Sequence, residues 1–167
     1  MKVGRTQFTQ GKVDKFVMIE ESLYKKIIHF MPICTVDIIF VDCVKKKILL
    51  GKRTNEPLKE VYYSIGGRLR KNEKFKNAAY RIAKDELGVV LKSDKLVLGG
   101  VMDEQFSNSM FEDESLFSVN IFYYYRVNNQ NKYTLDKQHS EISWFNYNDP
   151  TLHPNLQSKL QNISLIS

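Results

Sequence analysis

Between Gly66 and Val89 the chain reads GGRLRKNEKFKNAAYRIAKDELGV, a glycine pair followed at fixed offsets by Glu73, Arg81, Asp85 and Glu86. Phe75, Ala78, Ala79, Ile82 and Ala83 recur at three- and four-residue spacing, which predicts a helix with one apolar stripe against a sheet. Asn72 is the expected N-cap and Gly88 the expected left-handed C-terminal cap, placing that helix over roughly Glu73 to Leu87. Arg81 and Asp85 stand one turn apart and are expected to pair. An oxygen ligand at the helix end and a backbone carbonyl from the glycine turn can meet on one Mg²⁺, a hard cation that takes few protein ligands and keeps its other positions for water and phosphate.

Three further side chains carry chemistry. Asp37 interrupts an apolar, β-branched run, where an ionised carboxylate costs several kcal/mol unless it is paired or hydrogen-bonded, by roughly the margin of a buried ion pair. It either pairs with a nearby arginine or backbone amides or it meets a ligand, and the residues alone leave these even. Arg53, at a strand end near the glycine pair, has the fork that clamps a diphosphate bidentately; the competing use is an ion pair with Glu56 or Glu60. His139 follows Gln138 just before a strand, and an isolated histidine is more often a satisfied surface or core residue than a catalyst.

The elements that must position these groups are readable in order. Ser22 to Phe30 carries Leu23, Ile27, Ile28 and Phe30 at helical spacing and is stopped by Pro32, giving a short helix that caps the sheet or a dimer partner. Strands are expected at Thr35–Val41, Lys47–Arg53, Val61–Ile65, Lys95–Met102, Val119–Val127 and Glu141–Tyr147, with a closing helix from about Asn155. Asp103 to Ser115 reads as a long acidic loop, either a lid or an excursion, and Asn128 to Lys132 as a turn. Strands interrupted by helices of different faces give a layered α/β/α sandwich on a mixed sheet.

The 167 residues suit one domain, with residues 1–16 as a polar N-terminal arm. Hydrophobic residues make up 43% and charged residues 26%, an ordinary globular balance. No run is long and apolar enough to span a membrane and no signal-like segment opens the chain, so the cytoplasm is expected and a membrane partner is not. The net charge of +6 comes from scattered lysines interleaved with acids, which argues for a solvated surface that steers a diphosphate and against nucleic acid. Cys34 and Cys43 lack metal-ligand spacing and are expected to be reduced.

The glycine–helix stretch resembles the Nudix superfamily, because Gly67, Glu73, Arg81, Glu86 and Gly88 fall on the box G-x5-E-x7-R-E-U-x-E-E-x-G-U. Ile82 stands where that box has its first helix carboxylate and Asp85 where it has the second. With LLGKRTNEP, the TVDIIF strand, LDKQH and LHPN in the same order, the chain is similar to the GDP-mannose mannosyl hydrolase branch from about Glu20 onward. Ile65 replaces the proline usual there before the glycine pair.

That resemblance implies a Nudix-type α/β/α fold and a homodimer. It also implies Mg²⁺, with Mn²⁺ as an alternative, held by the Gly66 carbonyl, Glu86 and Gln138. Arg53 and Arg68 would then face the diphosphate, Asp37 the nucleotide sugar, and His139 would act as base. Departure of a nucleoside diphosphate from an anomeric carbon builds negative charge on its β-phosphate, which a metal and arginines stabilise without a protein acid, while a neutral imidazole deprotonates the attacking water. A glycosidase would instead need two paired carboxylates. The implied activity is hydrolysis of GDP-mannose or GDP-glucose to GDP and free sugar. The alternatives are a Nudix pyrophosphohydrolase cutting a P–O–P bond of another nucleoside diphosphate derivative, and a non-catalytic nucleotide-sugar sensor.

Overall fold

The computed structural model describes residues 19–127 and 139–165, with His139 described through its backbone. The expected arm at residues 1–16, the turn at Asn128–Lys132 and Gln138 lie outside the described residues. Along the chain run α1 (Glu21–Phe30), β1 (Ile33–Asp42), β2 (Lys47–Arg53), β3 (Tyr62–Tyr63), β4 (Ile65–Arg68), α2 (Phe75–Leu87), β5 (Leu96–Phe106), β6 (Leu116–Arg126), β7 (His139–Asn146) and α3 (Pro154–Asn162).

All seven strands join one mixed sheet, and β1 is its axis. On one side β1 pairs in parallel with β6 from Ile33 opposite Ser118 to Val41 opposite Arg126, and β6 pairs antiparallel with β5. On the other side β4 takes the first half of β1, with Asp37 opposite Gly66, and β2 takes the second half, with Phe40 opposite Leu49. Beyond β2 lie β3 and β7. Such a strand must be apolar on both faces, and it is: Val36, Ile38, Ile39, Phe40 and Val41 are fully buried.

Alternation along β1 divides those residues between two cores. Val36, Ile38 and Phe40 pack with Ala78, Ala79, Ile82, Ala83 and Leu87 of α2, the stripe expected from its spacing. Ile39 and Val41 pack with Leu156 and Leu160 of α3 on the opposite face. Asp37, two residues before Ile39, shares the α3 face. The result is the α/β/α layering expected from the element order.

Local departures have identifiable causes. The glycine pair is not a loop: Gly66 and Gly67 are residues of β4, laid antiparallel on β1. Helix α2 starts at Phe75 rather than Glu73, and Asn72 is no N-cap but sits at φ 63° in a turn closed by Glu73 N–H donating to Arg70 O. Gly88 does cap the helix at φ 66°, with its N–H on Lys84 O and that of Val89 on Ala83 O. The acidic loop is shorter than expected, since β5 runs on to Phe106 and β6 begins at Leu116. What remains is latched on both sides: Asn108 donates to Glu56 at 2.9 Å, and Asp113 pairs with Lys25 of α1 at 2.6 Å.

Candidate active site

A groove of about 330 Å³ opens between β1, β4, the 53–58 segment, α1 and the β5–β6 connection, and Asp37, Arg53, Gly66 and Arg68 all line it. Four residues expected from the sequence to act together are thus brought together. Glu86 approaches from beneath: it is 5% exposed, and its Oε1 lies 3.5 Å from the position a Gly67 Cβ would take. Ile82 fills the rest of that space, with its side chain 3.6 Å from the same point and 1% exposed, while Asp85 faces solvent. Helix α2 therefore directs one buried carboxylate at the glycine strand. One carboxylate is compatible with a hard cation such as Mg²⁺, which keeps most of its shell for water and phosphate.

Arg53 is held in place by its neighbours. Its Nε donates to Pro57 O at 2.6 Å and its Nη2 to Asn55 Oδ1 at 3.3 Å, fixing the plane of the fork. Of the two expected ion-pair competitors, Glu60 pairs with Lys52 instead, at 2.9 Å, and Glu56 accepts from Asn108 at 2.9 Å. Burial pushes the Arg53 guanidinium below its ordinary value, and the carboxylates of Asp37 and Glu86 oppose that shift. Arg68 is exposed at the end of β4, stacked 4.0 Å over the Tyr24 ring of α1.

The expected Arg81–Asp85 pair gives way to a different one. Arg81 clamps Glu73 with both arms of its fork, Nε to Oε1 at 2.7 Å and Nη2 to Oε2 at 2.9 Å, and Nη2 also donates to Arg68 O at 3.0 Å. A planar guanidinium matched to a carboxylate outweighs a surface pair one turn along the helix, where side-chain entropy and screening leave little. The clamp ties the turn before α2 to β4 and so fixes the glycine strand against the helix end.

Among the described residues, the hydrogen-bond partners of the Asp37 carboxylate are a lysine and a serine rather than an arginine or backbone amides. Its Oδ2 accepts from Lys159 Nζ at 2.7 Å and from Ser64 Oγ at 2.5 Å. Lys159, on α3 and fully buried, also meets Glu104 Oε1 at 2.9 Å, and that oxygen accepts from the Tyr63 hydroxyl at 2.5 Å. Burial pushes the Glu104 carboxyl up, with Lys159 opposing. Burial alone would push the Lys159 ammonium down, but Asp37 and Glu104 outweigh it and hold it above the usual lysine value. Gly66 completes the arrangement, since any Cβ there would fall on the Asp37 carboxylate.

Sequence reasoning missed Lys159, Glu104, Tyr63 and Ser64. A signal existed: Lys159 stands between Leu156 and Leu160 on the apolar stripe of α3, and a buried Asp37 demands a cation. His139 opens β7 rather than lying on a loop, its backbone opposite Arg53 at a register shift between Lys52 and Arg53, and its side chain lies outside the described part, as does all of Gln138.

Among relatives, the chain is 27% identical over 143 residues to the low-salt glycan biosynthesis protein Agl8 of Haloferax volcanii, covering 85% of this chain and 88% of that one. Its fold is similar to a MutT NUDIX hydrolase from Burkholderia pseudomallei, with TM-score 0.64 and 21% identity over 80% of this chain and 98% of that one. The NUDIX domain of Shewanella oneidensis NrtR, solved with ADP ribose, superposes with TM-score 0.59 and 20% identity over 88% and 96% of the two chains. The model of the NUDIX domain matches residues 31–164, from just before β1 to just past α3, and with that span matched this chain belongs to the Nudix hydrolase family.

Proposed function

We propose that this protein is a Mg²⁺-dependent hydrolase of a nucleoside diphosphate sugar, GDP-mannose or GDP-glucose, releasing GDP and free sugar by attack of water at the anomeric carbon. The observation that carries the reading is the single carboxylate of α2: Ile82 is a core residue and Asp85 is solvent-facing, so Glu86 alone meets the glycine strand. Attack at phosphorus in the resembled superfamily leans on a carboxylate-rich helix, whereas attack at carbon asks only that the departing diphosphate be neutralised. The relative named for glycan biosynthesis and the neighbour solved with ADP ribose support a sugar-bearing nucleotide as the substrate class.

Each residue has a defined part. Arg53, planar and locked by Pro57 and Asn55, offers its fork to the diphosphate, and Arg68 adds charge at the rim. Glu86, with the Gly66 carbonyl and Gln138, would hold the Mg²⁺, which supplies neutralisation of the charge that develops on the β-phosphate. The neutral imidazole of His139 takes the proton from water as its oxygen bonds to C1 and the C1–O bond breaks toward GDP. Asp37 faces the sugar.

Product analysis tests this. GDP plus free hexose, with ¹⁸O from labelled water on the sugar C1 hydroxyl, is the expected outcome. GMP plus sugar phosphate, or label in phosphate, would mean P–O–P cleavage. Tight binding without turnover would mean a sensor.

A further inference from the structure

Asp37 and Glu104 sit side by side at the floor of the groove, on β1 and β5, 5% and 4% exposed, and Lys159 lies between them without surface of its own. Every donor in this cluster already points inward. The three N–H groups of Lys159 have Asp37, Glu104 and Ser64 within 2.7–3.4 Å, Ser64 donates to Asp37, and the Tyr63 hydroxyl donates to Glu104. Burial, then the charges of Glu104 and Asp37, push the Tyr63 hydroxyl far up, so it keeps its proton and remains a donor. An ionised carboxylate is acceptor-only with about four lone-pair sites, and one ammonium leaves two such groups with a surplus of both lone pairs and negative charge. The Asp37 and Glu104 carboxylates can therefore offer an incoming ligand acceptors, their own neighbouring donors being spent on one another. The same groove is also lined by the cations Arg53 and Arg68.

We propose that Glu104, clamped with Asp37 on Lys159, is a specificity-determining residue that selects the sugar: the floor accepts from the hydroxyls of a neutral hexose and rejects a hexose oxidised to a carboxylate. This rests on the nucleotide-sugar reading and deepens it from a nucleotide to a class of sugar. With the diphosphate on Arg53 and Arg68, a sugar turned toward Asp37 and Glu104 meets acceptors, and a carboxylate on that sugar meets like charge at low dielectric. A ligand with no sugar should not sense the floor.

Binding in the presence of Mg²⁺, read by calorimetry, tests this without depending on which bond is cut. Wild-type protein should bind GDP-mannuronate about 10²-fold more weakly than GDP-mannose, and UDP-glucuronate more weakly than UDP-glucose by a similar factor. Glu104→Gln keeps the shape, removes the charge and adds donors. It should shrink that discrimination at least about tenfold while leaving affinity for GDP within about twofold. Tyr63→Phe, which leaves Glu104 charged, should keep the preference for the neutral sugar. Equal affinity of wild type for the neutral and oxidised sugars would overturn the proposal, as would a Glu104→Gln protein that melts like wild type yet loses GDP and GDP-mannose binding by the same factor. Should the products prove to be GMP and sugar phosphate, the hydrolytic reading fails while this binding preference still stands or falls alone.

Discussion

Replacing Lys159 by methionine isolates what the buried cation contributes. The side chain is fully buried, spans two carboxylates at 2.7 and 2.9 Å and packs 4.9 Å from the Tyr63 ring, so methionine conserves most of the volume while removing the charge and the N–H donors that go with it. Deleting one partner of a buried pair costs about 3–5 kcal/mol because the other is left charged in the interior. Here two are left, and the damage is limited by protonation. Glu104 already titrates above the usual carboxylate range, burial raising it and Lys159 opposing, so its contribution to stability is present below its unfolded value and is lost as pH rises through its folded value. Without the ammonium that folded value moves higher still. The penalty should therefore be small near pH 4 and grow with pH, by at most about 1.4 kcal/mol per unit for each proton taken up on folding. Lys159 itself is held above the usual lysine value, so in the wild type its stabilisation is intact at every pH below that, and the wild-type slope from Glu104 should be shallower than the variant's. Urea unfolding of both proteins between pH 5 and 8 measures the difference. A pH-independent loss under about 1 kcal/mol would refute the idea that the cluster is charge-balanced by Lys159. Adding Glu104→Gln to Lys159→Met should recover part of the loss at pH 8 and little at pH 5.

Other outcomes follow from the same geometry. Glu86→Gln should weaken Mg²⁺ binding and turnover together, whereas Asp85→Asn, at an exposed position, should change both little; titration calorimetry and a GDP-release assay decide it. His139→Gln should lower kcat by about 10²–10⁴-fold with substrate binding retained, and only wild-type kcat should rise with pH through the histidine range; a variant that keeps that rise removes His139 as base. Gly66→Ala should unfold more easily than Gly67→Ala, because a methyl at 66 lands on the Asp37 carboxylate while one at 67 meets Glu86 and Ile82 at ordinary distances of 3.5 and 3.6 Å; thermal melts rank them. Burial would raise the Glu73 carboxyl, but Arg81 and the Arg70 N–H outweigh it and hold it low. Its stabilisation is present above the unfolded carboxylate value and is lost as pH falls through the folded one. Arg81→Met should remove that acid-side dependence, and an unchanged acid limb in the variant would show the clamp to be inert.

Periodicity alone placed most elements, because the stripe of α2 and the unbroken apolar run of β1 are set by burial, which the side chains themselves declare. The errors lie where a distant partner overrode a local rule. Two glycines ordinarily mark a turn, yet Gly66 and Gly67 are held extended by the backbone of β1, and glycine is needed at 66 because a carboxylate lies beneath it. Arg81 passed over Asp85 at the favoured helical spacing for Glu73, which precedes the helix in a turn that only the folded chain makes. Lys159 was read as part of a closing helix without chemistry, since nothing local distinguishes a solvated lysine from one aimed at a strand 122 residues earlier. Of the candidate site, Asp37, Arg53, Gly66 and Arg68 were legible and do share a groove, whereas the residues that balance Asp37 come from β3, β5, α3 and the position before β4, and no motif joins them.

The reach of that one lysine also sets an order of assembly. Asp37 leaves the ribosome long before Lys159, and until α3 docks, β1 and β5 can bring two carboxylates into the α3-side layer without the ammonium that bridges them. Closing a loop of that length costs chain entropy before any contact returns it, and β1 waits in the same way for its parallel partner β6. Docking of α3 is therefore expected to come late, after the α2-side layer has consolidated around β1. A nascent chain should pass through a species in which one layer is formed and the groove has no finished floor, exposing Ile39, Val41 and Phe122 to chaperones or to aggregation for as long as the last helix is missing.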